Sequence, residues 1–370
     1  MTSQSLIQKL IALKPKGRTI EQLASELGMS IEKTKVLLEK PALPEGYRLV
    51  PWMSPLGEQH YEVLPPEPPR LVPPPRSFRF LRASEPESYL RIFIPDEILD
   101  VNGKPAKWIE LFPFSDVHWG HRRCDKRNFL LDVKEVAKRP NRFAILNGDN
   151  MEIALGDSAG GAAWAEQSVN PKVQRDQTER IYRLIAGKIF GATPGNHEAR
   201  ATKKTLMNPL EEVCKGLDIP YFAGPYNMEI IWRGYRWTFF IKHGTGNSNT
   251  PGGKLNNSGR DRGYNDFRNF FCSGHVHDEM SHKVPRRVRR REFENGKLKR
   301  FWIENLKEYK VIFPSYLLYS GTYAEEAGYS PGSRNTIAIQ LFANGDYHVV
   351  SSKRQRNGDD KEQTISEEIL

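Results

Sequence analysis

Five histidines, two aspartates and two asparagines, all residue types that ligate divalent cations, fall in five short motifs between Asp116 and His277. The motifs read Asp116-Val117-His118-Trp119-Gly120, Gly148-Asp149-Asn150, Gly195-Asn196-His197-Glu198, His243-Gly244 and Gly274-His275-Val276-His277. Most follow a short apolar run and are flanked by glycine, as expected of ligands at strand ends. Oxygen and imidazole donors without thiolate suit hard-to-borderline divalent cations. Two such cations, about 3.5–4 Å apart, clamp a phosphoryl group and make a nucleophile from water. Taken one at a time, each motif also has a plain reading. A histidine after a strand is commonly a satisfied core or loop residue, and a Gly-Asx pair favours a turn. Together, the five in order point to phosphoester hydrolysis.

In order and spacing the motifs resemble those of the calcineurin-like metallophosphoesterase superfamily, over about residues 108–280. The resemblance implies that Asp116, His118 and His277 hold a first metal, that Asp149 bridges both, and that Asn196, His243 and His275 complete a second. It implies manganese as the first candidate metal, with iron or zinc as alternatives. It also turns His197 toward substrate, where it protonates the leaving oxygen while a metal-held hydroxide attacks phosphorus in line. Glu152 stands where some relatives carry an acidic partner for that histidine, and an ordinary surface glutamate is the other reading. Glu198 reads as a support for its loop, and His121 as a residue that touches substrate or stays structural.

Positioning those motifs requires strands that end at them. Trp108-Ile109-Glu110-Leu111-Phe112, Phe143-Ala144-Ile145-Leu146, Ile189-Phe190-Gly191-Ala192-Thr193, Trp237-Thr238-Phe239-Phe240-Ile241 and Phe270-Phe271-Cys272 each lead into one. The fully apolar run at 143–146 suits a sheet covered on both faces. Leu130, Val133, Val136 and Ala137 recur at helical spacing up to Pro140. Val173, Gln177, Ile181, Leu184 and Ile185 do the same, with Asn170 as cap and Pro171 at the first helical position. Strand–helix alternation predicts an α/β fold with its site beyond the carboxyl ends of strands. The resemblance makes this a metallophosphoesterase-type two-sheet β-sandwich flanked by helices.

The chain has 370 residues, three scattered cysteines and a formal charge of +10. Sparse cysteines and the lack of a leader-like or membrane-spanning apolar run predict a cytoplasmic protein with no membrane partner. The positive charge favours a polyanion, DNA first. Residues 1–64 predict a small α-helical, helix-turn-helix-like domain, with a possible wing from Tyr47-Arg48-Leu49-Val50 and Tyr61-Glu62-Val63-Leu64. Leu6, Ile7, Leu10 and Ile11 predict a first short helix. Thr19 caps the next, Gly28 turns the chain and Ser30 caps the one after, with Thr34 where an aliphatic residue is usual and Lys33 and Lys35 free for phosphates. Prolines at 65–76 predict a semi-rigid linker. The catalytic domain follows over 77–355, then a flexible tail over 356–370.

Two loops bear on substrate choice. Gly244 to Asn265 leaves directly from His243 and carries Lys254, Arg260 and Arg262, which can reach flanking phosphates. Residues 151–169, with Ala159 to Trp164, read as a lid or a plain loop. Further on, Arg286, Arg287, Arg289, Arg290 and Arg291 follow the last motif closely, which predicts a groove tracking a nucleic-acid backbone. Protein Ser/Thr phosphatases of the superfamily carry Asp-Arg-Gly after the second motif; here Asn150-Met151-Glu152 stands there and argues against that class. The chain resembles phage and prophage phosphoesterases, which implies a phosphodiesterase or nuclease acting on DNA. A phosphatase or phosphodiesterase of small nucleotides is the alternative. A DNA- or protein-binding module with a vestigial site is the third reading, opposed by the intact ligand set.

Overall fold

The structure, a computed structural model, describes residues 18–39, 48–53, 59–64, 76–83, 88–155, 166–246, 250–259, 268–294, 296–318 and 335–353. The helix expected before residue 18, the proline-rich stretch, Ala159 to Trp164, Arg260, Arg262 and the tail lie outside them. The chain divides into two units: Met1–Val72 with Gln167–Asn170, and Pro73–Glu166 with Pro171–Leu370.

The first unit carries β1 (Arg18–Thr19), α1 (Ile20–Leu27), α2 (Ile31–Glu39), β2 (Arg48–Met53) and β3 (Gln59–Leu64), the strands forming an antiparallel sheet in the order β1-β3-β2. Helix α1 starts where the sequence predicts. The Thr19 hydroxyl accepts from the Gln22 amide, and the Gln22 side chain accepts from the Thr19 amide in return. This capping box satisfies two of the donors every helix start leaves open. Gly28 ends the helix with φ 62°, a left-handed turn that suits a residue without Cβ. Thr34 is fully buried, and its hydroxyl donates to the Ser30 carbonyl at 3.0 Å. The polar group is thus satisfied within its own helix, which is how a threonine can stand at an aliphatic position.

The second unit is mixed α/β. Strands β4 (Arg79–Ala83), β5 (Tyr89–Phe93), β9 (Tyr226–Trp232), β10 (Tyr235–Ile241), β11 (Phe270–Ser273), β12 (Met280–Glu294) and β13 (Lys297–Ile312) form a seven-stranded sheet in the order β12-β13-β11-β10-β9-β5-β4. Strands β6 (Trp108–Phe114), β7 (Arg142–Asn147), β8 (Ile189–Thr193), β14 (Asn335–Phe342) and β15 (Tyr347–Lys353) form a second, in the order β15-β14-β6-β7-β8. Period-2 alternation splits the side chains of the second sheet between two cores. Ile109, Leu111, Phe143 and Ile145 join Ile230, Trp237, Phe239 and Phe270 of the first sheet. Phe112, Phe114, Ala144 and Leu146 join the helices α3 (Lys126–Lys138), α4 (Pro171–Arg183) and α6 (Pro209–Gly216) through Val133, Ile181 and Val213. Each fully buried aromatic of this kind contributes about 1.5–3 kcal/mol. Strands β6, β7 and β8 run parallel, as do β10 and β11, and every metal motif follows the carboxyl end of one of them.

Several elements differ from expectation. Helix α4 ends at Arg183, leaving Leu184 exposed, while Gln174 is buried in its place. The Gly- and Ser-rich stretch after His243 holds α7 (Pro251–Gly259), started by Thr250, whose hydroxyl accepts from the Gly253 amide. The basic run after residue 282 is not a loop. It is the edge strand of its sheet, one arm of a long hairpin, β12–β13.

Candidate metal centre

Five strand ends bring the ligands together through unusual backbone. Asp116, His118, Asp149, His275 and His277 all have positive φ, between 48° and 71°. They make up five of the nine described non-glycine residues in that region. Such backbone costs about 1–3 kcal/mol each and persists where the surrounding structure imposes it. Glycines allow the close approach. A Cβ on Gly274 would collide with the Ser115 hydroxyl and the Asp116 carboxylate, and one on Gly195 with the Asp149 carboxylate.

The expected ligands gather in two groups, Asp116 with His118 and His277, and Asp149 with His243 and His275, and a third candidate group, His118 with Glu152 and His197, overlaps the first. His277 Nε2 lies 3.3 Å from Asp116 Oδ1 and 3.2 Å from His118 Nε2. His243 Nε2 lies 3.1 Å from Asp149 Oδ2 and 3.9 Å from Asp116 Oδ1, so the two groups adjoin. Asn196 Oδ1 stands 3.0 Å from His275 Nδ1. Asp116, His118 and Asp149 are buried, His275 and His277 half-buried and Asn196 exposed, so solvent reaches the site from that side.

Hydrogen bonds fix which nitrogen of each ring faces inward. His243 Nδ1 donates to the Asn147 carbonyl at 2.8 Å, and His118 Nδ1 to Glu152 Oε2 at 2.8 Å. Their Nε2 atoms are thereby left as lone-pair donors. The buried His243 Nε2 makes no hydrogen bond, and His118 Nε2 faces another Nε2. Lone pairs converging on two carboxylates fit divalent cations better than they fit one another. The charges agree. Burial alone would lower the pKa of His243, but the Asp149 and Asp116 carboxylates outweigh it and push it up to about 10. Burial works against Asp116 too, yet His243 and His277 hold its carboxyl down at about 2. Burial, reinforced by repulsion from His277, lowers His118 to about 3, keeping it neutral.

Around these donors stands a supporting shell. The Glu198 carboxylate accepts from four backbone amides: Asp149 and Gly195 on Oε2 at 3.0 and 2.9 Å, and Asn150 and Met151 on Oε1 at 2.7 and 3.2 Å. It pins the second and third motifs to each other, as the sequence reading of a loop support requires. Helix α5 (Asn196–Thr205) aims its first turn at the site, and the His197 amide donates to Asp149 Oδ1 at 2.8 Å. Ser115, which sequence reading passed over, donates to Asp116 Oδ2 at 2.5 Å.

Glu152 is buried, which removes the surface-glutamate reading. Its main partner is His118; His197 Nδ1 lies 3.5 Å from Oε1 and donates instead to the Glu152 carbonyl at 2.7 Å. His197 Nε2 is therefore the nitrogen turned to the site, 3.9 Å from Asp149 Oδ2. Burial lowers its pKa to about 4, against the pull of Asp149. Arg200, also unforeseen, places Nη2 3.1 Å from that nitrogen. The Asn196-His197-Glu198-Ala199-Arg200 spacing, one helical turn from His197, was the signal for it.

The remaining predicted residues scatter. Lys254 is buried on α7 with its ammonium 2.9 Å from Asp278, next to His277. His121 is buried 3.1 Å from Glu166. Lys33 and Lys35 are exposed on α2 of the first unit. Arg286, Arg287, Arg289, Arg290 and Arg291 lie along β12. Cys124, Cys214 and Cys272 are buried free thiols outside both donor groups. Among the described residues, no helix is long and apolar enough to cross a membrane. No protein-family model matches the chain, and no curated protein matches it.

Proposed function

We propose that the chain is a two-metal phosphoester hydrolase of the calcineurin-like metallophosphoesterase type, acting on a phosphodiester, with DNA as the leading substrate. One observation carries this reading. Donors from five separated motifs meet in two adjoining groups, and most of them are held there by left-handed backbone. Asp116, His118 and His277 would hold one cation and Asn196, His243 and His275 the other, with Asp149 between. Bound there, the cations would activate water and offset charge on the phosphoryl oxygens.

The chain's own groups do the rest. The Glu198 clamp holds Asp149 and Asn196 in register, and Glu152 fixes the His118 ring. His197 is neutral in the free chain, with Nδ1–H on the Glu152 carbonyl and a lone pair on Nε2. It would take up a proton from solvent at Nε2 as the anionic phosphoryl group binds and pass that proton to the leaving oxygen, returning to the neutral ring. Arg200, beside that nitrogen, offers a guanidinium fork to phosphoryl oxygens. A phosphoryl group bound there would draw the fork off Nε2. In the first unit, the capped α1, the Gly28 turn and α2 support a helix-turn-helix reading, with Lys33 and Lys35 toward phosphates.

The small-nucleotide reading keeps one observation in its favour, the placement of the arginine run on a hairpin rather than beside the donors. Manganese-dependent turnover of bis(p-nitrophenyl) phosphate, p-nitrophenyl phosphate and labelled single- and double-stranded DNA tests both. Cleavage of diester and DNA supports the nuclease reading, whereas monoester turnover with DNA untouched moves it to nucleotides. No metal-dependent turnover of any substrate refutes both.

A further inference from the structure

The β12–β13 hairpin is far longer than the sheet that roots it. Its strands have 15 and 16 residues, whereas β11, the neighbour of β13, has 4. The register sets its direction. Ile312 pairs with Ser273, just before the last metal motif, and Tyr309 pairs with Phe270 at the other end of β11. Everything in β13 before Tyr309 therefore extends away from the metal donors. At about 3.3 Å per residue, Leu306, opposite Arg286, lies roughly 20 Å from Ile312, and Phe301, opposite Arg291, roughly 36 Å.

This projecting ribbon holds much of the molecule's charge. Residues 283–307 contain ten basic and three acidic side chains, seven of the net +10. Arg287, Arg289 and Arg291 share one face, opposite Asn305, Ile303 and Phe301. All three arginines are exposed, and among the described residues none has an ion-pair partner. Phe301 and Ile303, on the same face, are 52% and 54% exposed. Edge strands are often protected by charge, but protection alone gives no reason to leave large apolar side chains bare between arginines. Unpaired guanidinium groups alternating with apolar groups suit phosphates and the surfaces between them. A two-stranded ribbon is also a shape that the major groove of B-form DNA admits.

We propose that this ribbon is a duplex-DNA-binding arm, set apart from the metal centre, which tethers the molecule rather than positioning the scissile bond. The arm goes beyond the hydrolase reading and does not depend on it, since binding needs neither metal nor turnover.

The test is equilibrium binding of a labelled 30-base-pair duplex to the full chain in EDTA, followed by fluorescence anisotropy from about 50 to 200 mM salt. The Arg287→Gln/Arg289→Gln/Arg291→Gln protein is compared with a charge-matched control, Lys104→Gln/Lys138→Gln/Lys215→Gln, whose lysines are exposed elsewhere on the same unit. Thermal melts and circular dichroism confirm that both are folded. The proposal predicts at least tenfold weaker binding in the arginine variant and a log–log salt slope reduced by about 2–3, near 0.9 per phosphate contact. The control should stay within about twofold of the parent. Equal loss in both variants would reduce the arm to net charge and overturn the proposal. So would a parent that does not bind duplex, including one in which the arginine variant instead breaks a dimer. Hydrolysis of a small diester, measured separately on the parent, reports on the metal centre whichever way the binding experiment falls.

Discussion

Glu198 and His197 are neighbours in sequence but differ in their work, and substitutions should separate them. His197→Ala removes the group proposed to face the leaving oxygen while leaving the seven proposed ligands in place. Its diester turnover should fall about 10²–10⁴-fold with metal content unchanged, measured as kcat beside elemental analysis. Asp149→Asn should lose metal and turnover together; if it keeps full metal content, Asp149 is not the shared donor. Glu198→Ala strands four buried amides. It should cost at least about 3 kcal/mol in a denaturant melt, and a loss under 1 kcal/mol would mean the clamp is not needed. At this scale the donors were legible because their types and order are in the sequence. Of their supports, Glu198 was legible as one and the others were not. Ser115 on Asp116, Glu152 on His118 and Arg200 on His197 are contacts that the fold creates, and only the i, i+3 spacing of Arg200 left a trace.

At the scale of elements, the strand ends position the site and the glycines let them meet. Gly195→Ala places a methyl against the Asp149 carboxylate, so it should displace that donor although no ligand is changed. Manganese affinity should fall by at least tenfold in a calorimetric titration, and wild-type affinity would show that the turn can yield. The strands themselves were readable from their apolar runs, because sheets buried on both faces leave uninterrupted hydrophobic segments. Leu184 misled because periodicity continues past the point where α4 stops. The arginine run misled for a different reason. Proximity in sequence to His277 suggested proximity in space, but strand pairing carries those residues away, and pairing register is not written in composition.

Across the whole molecule, the metal-free centre is an ion-pair system whose stability should follow pH. The folded pKa of His243, about 10, lies above the ordinary 6.5. Its contribution is present in full below 6.5 and lost as pH rises through 10. Asp116, held at about 2 against 3.8, contributes above 3.8 and loses that contribution as pH falls through 2. The melting temperature in EDTA should therefore decline from pH 6.5 toward 10, and manganese should flatten that decline by replacing the His243 proton. A metal-free melting temperature that rises over the same range would contradict this electrostatic picture. The most direct measurement is metal stoichiometry: the chain loaded with manganese, freed of excess and analysed by elemental analysis and electron paramagnetic resonance. Two manganese ions per chain with a spin-coupled signal are expected, falling to one or none in Asp149→Asn. No retained metal, or a single isolated ion in the parent, would contradict a two-metal centre.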